Sequence, residues 1–241
     1  MITTNLLNND IDTRIVTDQK GIFSVIEYTR DLSVTPEEAE TAYFASEMSV
    51  RKRQLTAAIN PKAGVIAQKG TMQLMLGSLG AQTDVENVGN LVKKYVGSRV
   101  TGESAIKPHY RGEGTLVLEP TFRFIILEDI KDWDGGIVIE DGMFLACEDT
   151  AELHVTARST VSSAVFGKEG LFNTSISGHG VVALESATPR NELIEITLKD
   201  DVVKIDGNMA VAWSGGLGFT VERTTPTLNC LPAHSLSYGI C

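Results

Sequence analysis

Cysteine is scarce in this chain: Cys147, Cys230 and Cys241 are the only three in 241 residues, an odd number with no close spacing. Neither a disulfide framework nor a thiolate zinc site can be drawn from them, and a reducing compartment fits best. Long apolar runs are missing as well. No segment approaches the roughly 20 apolar residues of a membrane-spanning helix, and the opening MITTNLLNNDIDTR has neither the basic start nor the apolar stretch of a targeting peptide. The expected setting is therefore cytoplasmic. Positive charge is in short supply, with 21 Lys plus Arg against 31 Asp plus Glu and a formal net charge of -10 spread along the chain. Without a basic face, little is gained by releasing counterions from phosphate, so a nucleic-acid partner is disfavoured.

What the sequence does have is internal similarity. Residues 112–119 read GEGTLVLE and residues 178–185 read GHGVVALE, an offset of 66 from Gly114 to Gly180. Asp141-Gly142 falls on Asp206-Gly207 at offset 65, and FLACEDTAELHV from Phe144 falls on AVAWSGGLGFTV from Ala210 at offset 66. Each unit reads as a Gly-x-Gly, an alternating β segment, a polar stretch, an Asp-Gly turn and a hairpin. The units span about 98–155 and 164–221. A fragment of the same plan recurs near 62–76, where AGVIAQKGTMQLML from Ala63 reads as strand, Gly70 turn and strand. A Gly-x-Gly between strands permits positive φ or a close backbone approach, so Gly114 and Gly180 are expected to serve the fold.

The reading is thus all-β, one composite domain over 1–241, decorated by two helical insertions. The first runs from Thr35 to Ile59, with a Thr35 cap, Pro36 in the first turn, acidic residues early and Lys52 and Arg53 late. The second is DVENVGNLVKKYV, Asp84 to Val96.

The Gly-x-Gly strand pairs, the turn from Ala67 to Gly70 and the DGMFLACED segment from Asp141 together resemble the bacterial branch of the mitochondrial-biogenesis family, also called altered inheritance of mitochondria. The resemblance runs from about Val65 to Val221. It implies a fold like the tryptophan RNA-binding attenuation protein, with short double-stranded β-helix-like units around a pseudo-threefold axis. Bacterial members have no assigned activity, so the resemblance brings no catalytic residue, metal or cofactor. One departure stands out: after Arg223, where the 66-residue plan should resume, the chain reads TTPTLNCLPAHSLSYGIC, an altered or truncated last unit over 224–241.

No candidate chemistry outweighs its structural reading. SGGLG, Ser214 to Gly218, is expected as a turn between strands, since a phosphate cradle lies between strand and helix. His109, His154, His179 and His234 show no metal-ligand spacing. The acidic groups Glu128, Asp129, Asp132 and Asp134, then Glu140 and Asp141, then Glu148 and Asp149, read as a solvated rim. Ser159, Ser162 and Ser163 lack a nucleophile-elbow context, Cys147 reads as a buried thiol, and Trp133 and Trp213 as packing anchors. Arg51, Lys52 and Arg53, opposite in sign to Glu37, Glu38 and Glu40, read as a polar helix face.

No catalytic, cofactor-binding or metal-ligating residue is therefore assigned. The preferred reading is a non-enzymatic scaffold or assembly protein, acting through a protein partner or self-association. A small-molecule binder or enzyme with a pocket between repeats is the alternative, and RNA binding by fold analogy is disfavoured on charge.

Overall fold

The computed structural model describes residues 2–8, 12–83, 107–140, 142–157, 172–206, 209–218, 221–223 and 234–236, and these are mostly β-strand. β1 (Arg14–Lys20) and β2 (Phe23–Tyr28) form a hairpin, and a short helix, α1 (Ala39–Glu47), interrupts the path to β3 (Arg53–Ile59). Then come β4 (Val65–Ala67), β5 (Met72–Thr83), β6 (Pro108–Leu118), β7 (Phe124–Asp129), β8 (Ile137–Ile139), β9 (Phe144–Glu148) and β10 (Ala151–Ala157). The chain continues through β11 (Phe172–Gly178), β12 (Val181–Ser186), β13 (Ile205–Asp206), β14 (Ala212–Ser214), β15 (Val221–Arg223) and β16 (His234–Leu236).

The main sheet is antiparallel, in the order β1-β2-β3-β6-β4-β9-β12-β7, with β5 alongside β6. Its end strands approach each other, and the Lys20 ammonium donates 2.9 Å to the Leu127 carbonyl on β7, so the sheet is a nearly closed barrel. A second sheet, β10-β11-β8-β14, lies against one side, and β13, β16 and β15 form a third.

Period-2 alternation sends one set of side chains into the barrel: Phe23, Val25, Leu55, Ala57, Leu116, Leu118, Ile125 and Leu127 share one core. Ile66, Ile126, Val182 and Leu184 point the other way and pack on Ile137, Ile139, Ile176 and Trp133. Strands covered on both faces need apolar residues at both parities, which is why β4 reads VIA and β9 reads FLAC. Trp213, Val138, Ile205 and Ala210 form a third cluster, so both tryptophans are buried anchors, as expected.

Three expectations need correction. Thr35 to Ile59 is not one helix: α1 ends at Glu47, and Arg53–Ile59 is a buried strand between β2 and β6. The stop is a Schellman arrangement, in which the Val50 N–H reaches the Ala45 carbonyl at 2.8 Å, the Ser49 N–H reaches Ser46 at 3.0 Å, and Ser49 takes φ +60. Glycine usually fills that left-handed position; a serine there gives no visible stop signal. The second expected helix, Asp84 to Val96, lies outside the described residues.

The run Arg51, Lys52 and Arg53 is accordingly not a helix face. It leads into β3, where its charges meet Glu27 and Asp31 rather than the acidic residues of α1.

Gly112-x-Gly114 is not a turn but the middle of β6, facing Leu79 and Gly77 of β5. A Cβ on Gly114 would stand 1.9 Å from the Leu76 carbonyl oxygen, so close backbone approach excludes a side chain. Gly178-x-Gly180 does mark a break, carrying the chain from β11 in the second sheet to β12 in the first, with Gly180 at φ +106.

Under the 66-residue offset, β6 overlies β11 and β12, and β9 overlies β14. β7, however, falls on residues that begin with a 3-10 turn at Arg190–Glu192, and β9 pairs in the first sheet whereas β14 pairs in the second.

Candidate functional site

Two polar clusters close the barrel at opposite ends. At one, Glu27 on β2 and Arg53 on β3 are direct cross-strand partners whose side chains lie 2.8 Å apart. The Arg53 guanidinium is buried and stacks 4.0 Å from the Phe124 ring centroid, and Arg51 adds a second contact to Glu27 at 3.1 Å. A charged pair this close to the core needs such partners to offset lost hydration.

At the other end, Glu148 accepts the Ile22 N–H at 3.2 Å, tying β9 to the β1–β2 hairpin. Asp149 accepts the Gly64 N–H at 3.0 Å and the Arg111 side chain at 2.7 Å. The Thr150 hydroxyl donates to the His179 carbonyl at 2.7 Å. Glu148 and Asp149 are therefore staples between strands, which corrects the expectation that they belong to a solvated rim: only 12% of the Asp149 side chain is exposed.

The other expected candidates scatter. Glu128 pairs with Arg190 at 2.9 Å, and Asp129 with Lys131 at 2.7 Å, a hydrogen bond that holds the Asp129 carboxyl below its usual range. His109 is on β6, His154 on β10, His179 in the β11–β12 break and His234 on β16. Among the described residues no three His, Cys, Asp or Glu side chains gather as metal ligands would. Cys147 is fully buried, and desolvation pushes its thiol far up, leaving it inert as a nucleophile. Ser214–Gly218 is a turn after β14, its Gly215 and Gly216 N–H groups held by the Gly136 and Asp134 carbonyls at 2.8 and 2.9 Å. No phosphate cradle is formed. Ser159, Ser162 and Ser163 lie outside the described residues.

The feature that the sequence reading passed over is the arm between β2 and β3. α1 buries none of its residues. Leu32, Tyr43, Val50 and Phe122 stand exposed around a cleft of about 720 Å³, and Phe44 and Met48 are exposed beside them, Met48 at 77%. Tyr43 and Phe44 meet edge to face, 5.4 Å between centroids.

The arm is anchored at its base. Lys52 pairs with Asp31 and lies over the Phe122 ring at 5.7 Å, while the hydrogen bonds from Lys52 and from the Ser33 N–H hold the Asp31 carboxyl below its ordinary range. The Thr35 N–H and hydroxyl reach the Glu38 carboxylate at 3.4 and 3.3 Å, but α1 begins only at Ala39 with Glu38 in the cap position, so the expected Thr35 cap is not formed. The signal was present: four large apolar side chains, Tyr43, Phe44, Met48 and Val50, follow closely in and just after a helix too short to bury them.

Comparison with known proteins gives three findings. The family model described as mitochondrial biogenesis AIM24 matches residues 46–233. A protein of Streptococcus pyogenes serotype M6, described as uncharacterized, is 28% identical over 165 residues, which are 66% of this chain and 64% of that protein. The chain thus spans less than two thirds of that relative's length. A crystal structure of a Streptococcus pyogenes protein superposes with a TM-score of 0.56 at 21% identity, covering 79% of this chain and 85% of the other, which establishes a shared fold.

Proposed function

This chain belongs to the mitochondrial biogenesis AIM24 family, and on that premise we propose that it is a non-enzymatic β scaffold that works by assembling with protein. One observation carries the reading. The polar clusters near the core are spent on joining strands, Glu27 with Arg53 at one end and Glu148 with Asp149 at the other, whereas large apolar side chains around α1 are left on the surface. An enzyme concentrates reactive groups in a cleft; a docking protein concentrates apolar contact area.

The same reading takes residues 1–241 as one composite domain, with related units at about 98–155 and 164–221 and a partial unit near 62–76. The overlay of β6 on β11 and β12 supports it. A fold like that of the tryptophan RNA-binding attenuation protein, with the units of this chain in a pseudo-threefold arrangement, is part of the proposal. A cytoplasmic setting is too, alongside the finding that no helix among the described residues is long and apolar enough to cross a membrane.

The cleft of about 720 Å³ favours a second reading, a small-molecule binder. The two separate in a thermal melt, because any ligand of the native state raises the melting temperature by mass action. A low-molecular-weight extract of the host should leave the melt unchanged. A reproducible upward shift from that extract would favour the binder and overturn the scaffold.

A further inference from the structure

We propose that the outer edge of β5 pairs antiparallel with β5 of a second copy of this chain, extending the main sheet across a two-fold axis. The proposal deepens the assembly reading and rests on it. β5 is the longest strand described, twelve residues from Met72 to Thr83, and it pairs with β6 along that whole length. Among the described residues no strand pairs with its other side. Every second residue of such an edge turns its N–H and C=O outward, at about 3.4 Å rise per residue, so the strand presents a row of hydrogen-bonding groups roughly 40 Å long.

Edges left open in monomers are ordinarily blunted by lysine, proline or a central bulge. β5 reads MQLMLGSLGAQT, with no charged residue and no proline, and its one register shift lies at the start, between Met72 and Leu74. Met72 and Leu74 are 38% and 44% exposed, and Gly77, Ser78 and Gly80 to Thr83 are exposed as well. Ile2 and Thr4 line a groove beside Leu76 to Ser78 but enter no ladder.

Charge selects the occupant. Two copies of a chain with net charge -10 repel over most of their surfaces. Along β5 they do not, because no register of two such strands sets one charge against another. A basic partner, by contrast, would gain nothing from a neutral strip. Antiparallel self-pairing is also isologous and closes at two copies.

The test is sedimentation velocity from low to high micromolar concentration, with hydrogen exchange on β5 amides in the same samples. The wild type should form a dimer whose β5 amides gain protection as it assembles. Ser78→Lys with Ala81→Lys, both at exposed positions, should weaken association at least tenfold while the melt below the dimer range stays that of wild type. Met48→Lys, at the C-terminal end of α1, should dimerise as wild type does. A wild type that stays monomeric, or a lysine variant that dimerises normally, overturns the proposal. A monomer with β5 protected at every concentration also overturns it, the chain itself then covering the strand. Dimers lost in Met48→Lys and kept in the β5 variant would sink the β5 edge yet leave the assembly reading standing, with α1 as its surface. A monomer that responds to the low-molecular-weight extract would sink both.

Discussion

Valine at position 114 has nowhere to put its first carbon, since the Cβ alone would stand 1.9 Å from the backbone oxygen of Leu76. Relief requires parting β5 from β6. At Gly180 the obstacle is different: φ is +106, and the nearest atom to a Cβ is the Glu148 carboxylate at 2.6 Å, the end of a side chain that can move. Both valine variants should lose stability, about 1–3 kcal/mol at Gly180 and more at Gly114, measured by urea denaturation. Equal stability to wild type at either site contradicts the structural role. That these glycines serve the fold was legible from their spacing. Whether each sat in a turn or in a strand was not, because that depends on β5, a partner set by pairing rather than by local sequence.

Arg53 makes a second residue-scale case. Read locally, RKR within a helical pattern is a polar helix face; in the fold Arg53 is buried against Glu27 and Phe124. Arg53→Met should cost about 2–3 kcal/mol, short of the full penalty for a lone buried carboxylate because Arg51 still reaches Glu27. Adding Glu27→Gln should recover part of that loss, and a double-mutant cycle from denaturation curves reads the coupling. Strict additivity would contradict it.

At the scale of elements, α1 and β3 divide a segment that sequence signals read as continuous. The start was misplaced, since α1 begins at Ala39 with Glu38 rather than Thr35 in the cap position. The end was hidden, because Ser49 does in left-handed conformation what glycine does elsewhere, and because β3 gains its strand state from β2 and β6 rather than from its own composition. As α1 buries nothing, replacing residues 36–48 by a short Gly/Ser linker should lower the melting temperature by less than about 4 °C, the shift that roughly 1 kcal/mol makes in a chain of this size. Loss of the cooperative melt would show instead that the arm supports the barrel.

The arm also carries a pH dependence. The Asp31 carboxyl is held below its usual value first by Lys52 and then by the Ser33 N–H. Its contribution is therefore present above the unfolded value of about 3.9 and lost as pH falls through the lower, folded one. Pepsin should begin to cut residues 29–38 only below about pH 4, and Lys52→Met should move that onset upward. An onset unchanged in the variant removes the ion pair from the account.

For the molecule as a whole, the all-β class and the strand content were legible because alternation and turn residues are local. The nearly closed sheet was not, since its order joins β3 to β6 and β9 to β12 across long stretches of chain. Of the candidate site, the sequence revealed which carboxylates and histidines existed but not that Glu148 and Asp149 are staples, nor that the exposed apolar groups gather at α1. A net charge of -10 further predicts no sub-micromolar, salt-sensitive affinity for single-stranded RNA in fluorescence anisotropy at physiological salt, and such binding would refute the charge argument.

The proposed role of this protein is to assemble with protein rather than to transform or hold a small molecule. Native mass spectrometry of the protein purified from its own host tests that most directly, because it weighs every bound species at once. Masses of the chain with further polypeptide, a second copy or another protein, are expected, with no stoichiometric low-mass adduct. A lone chain carrying one small molecule at full occupancy would contradict that role.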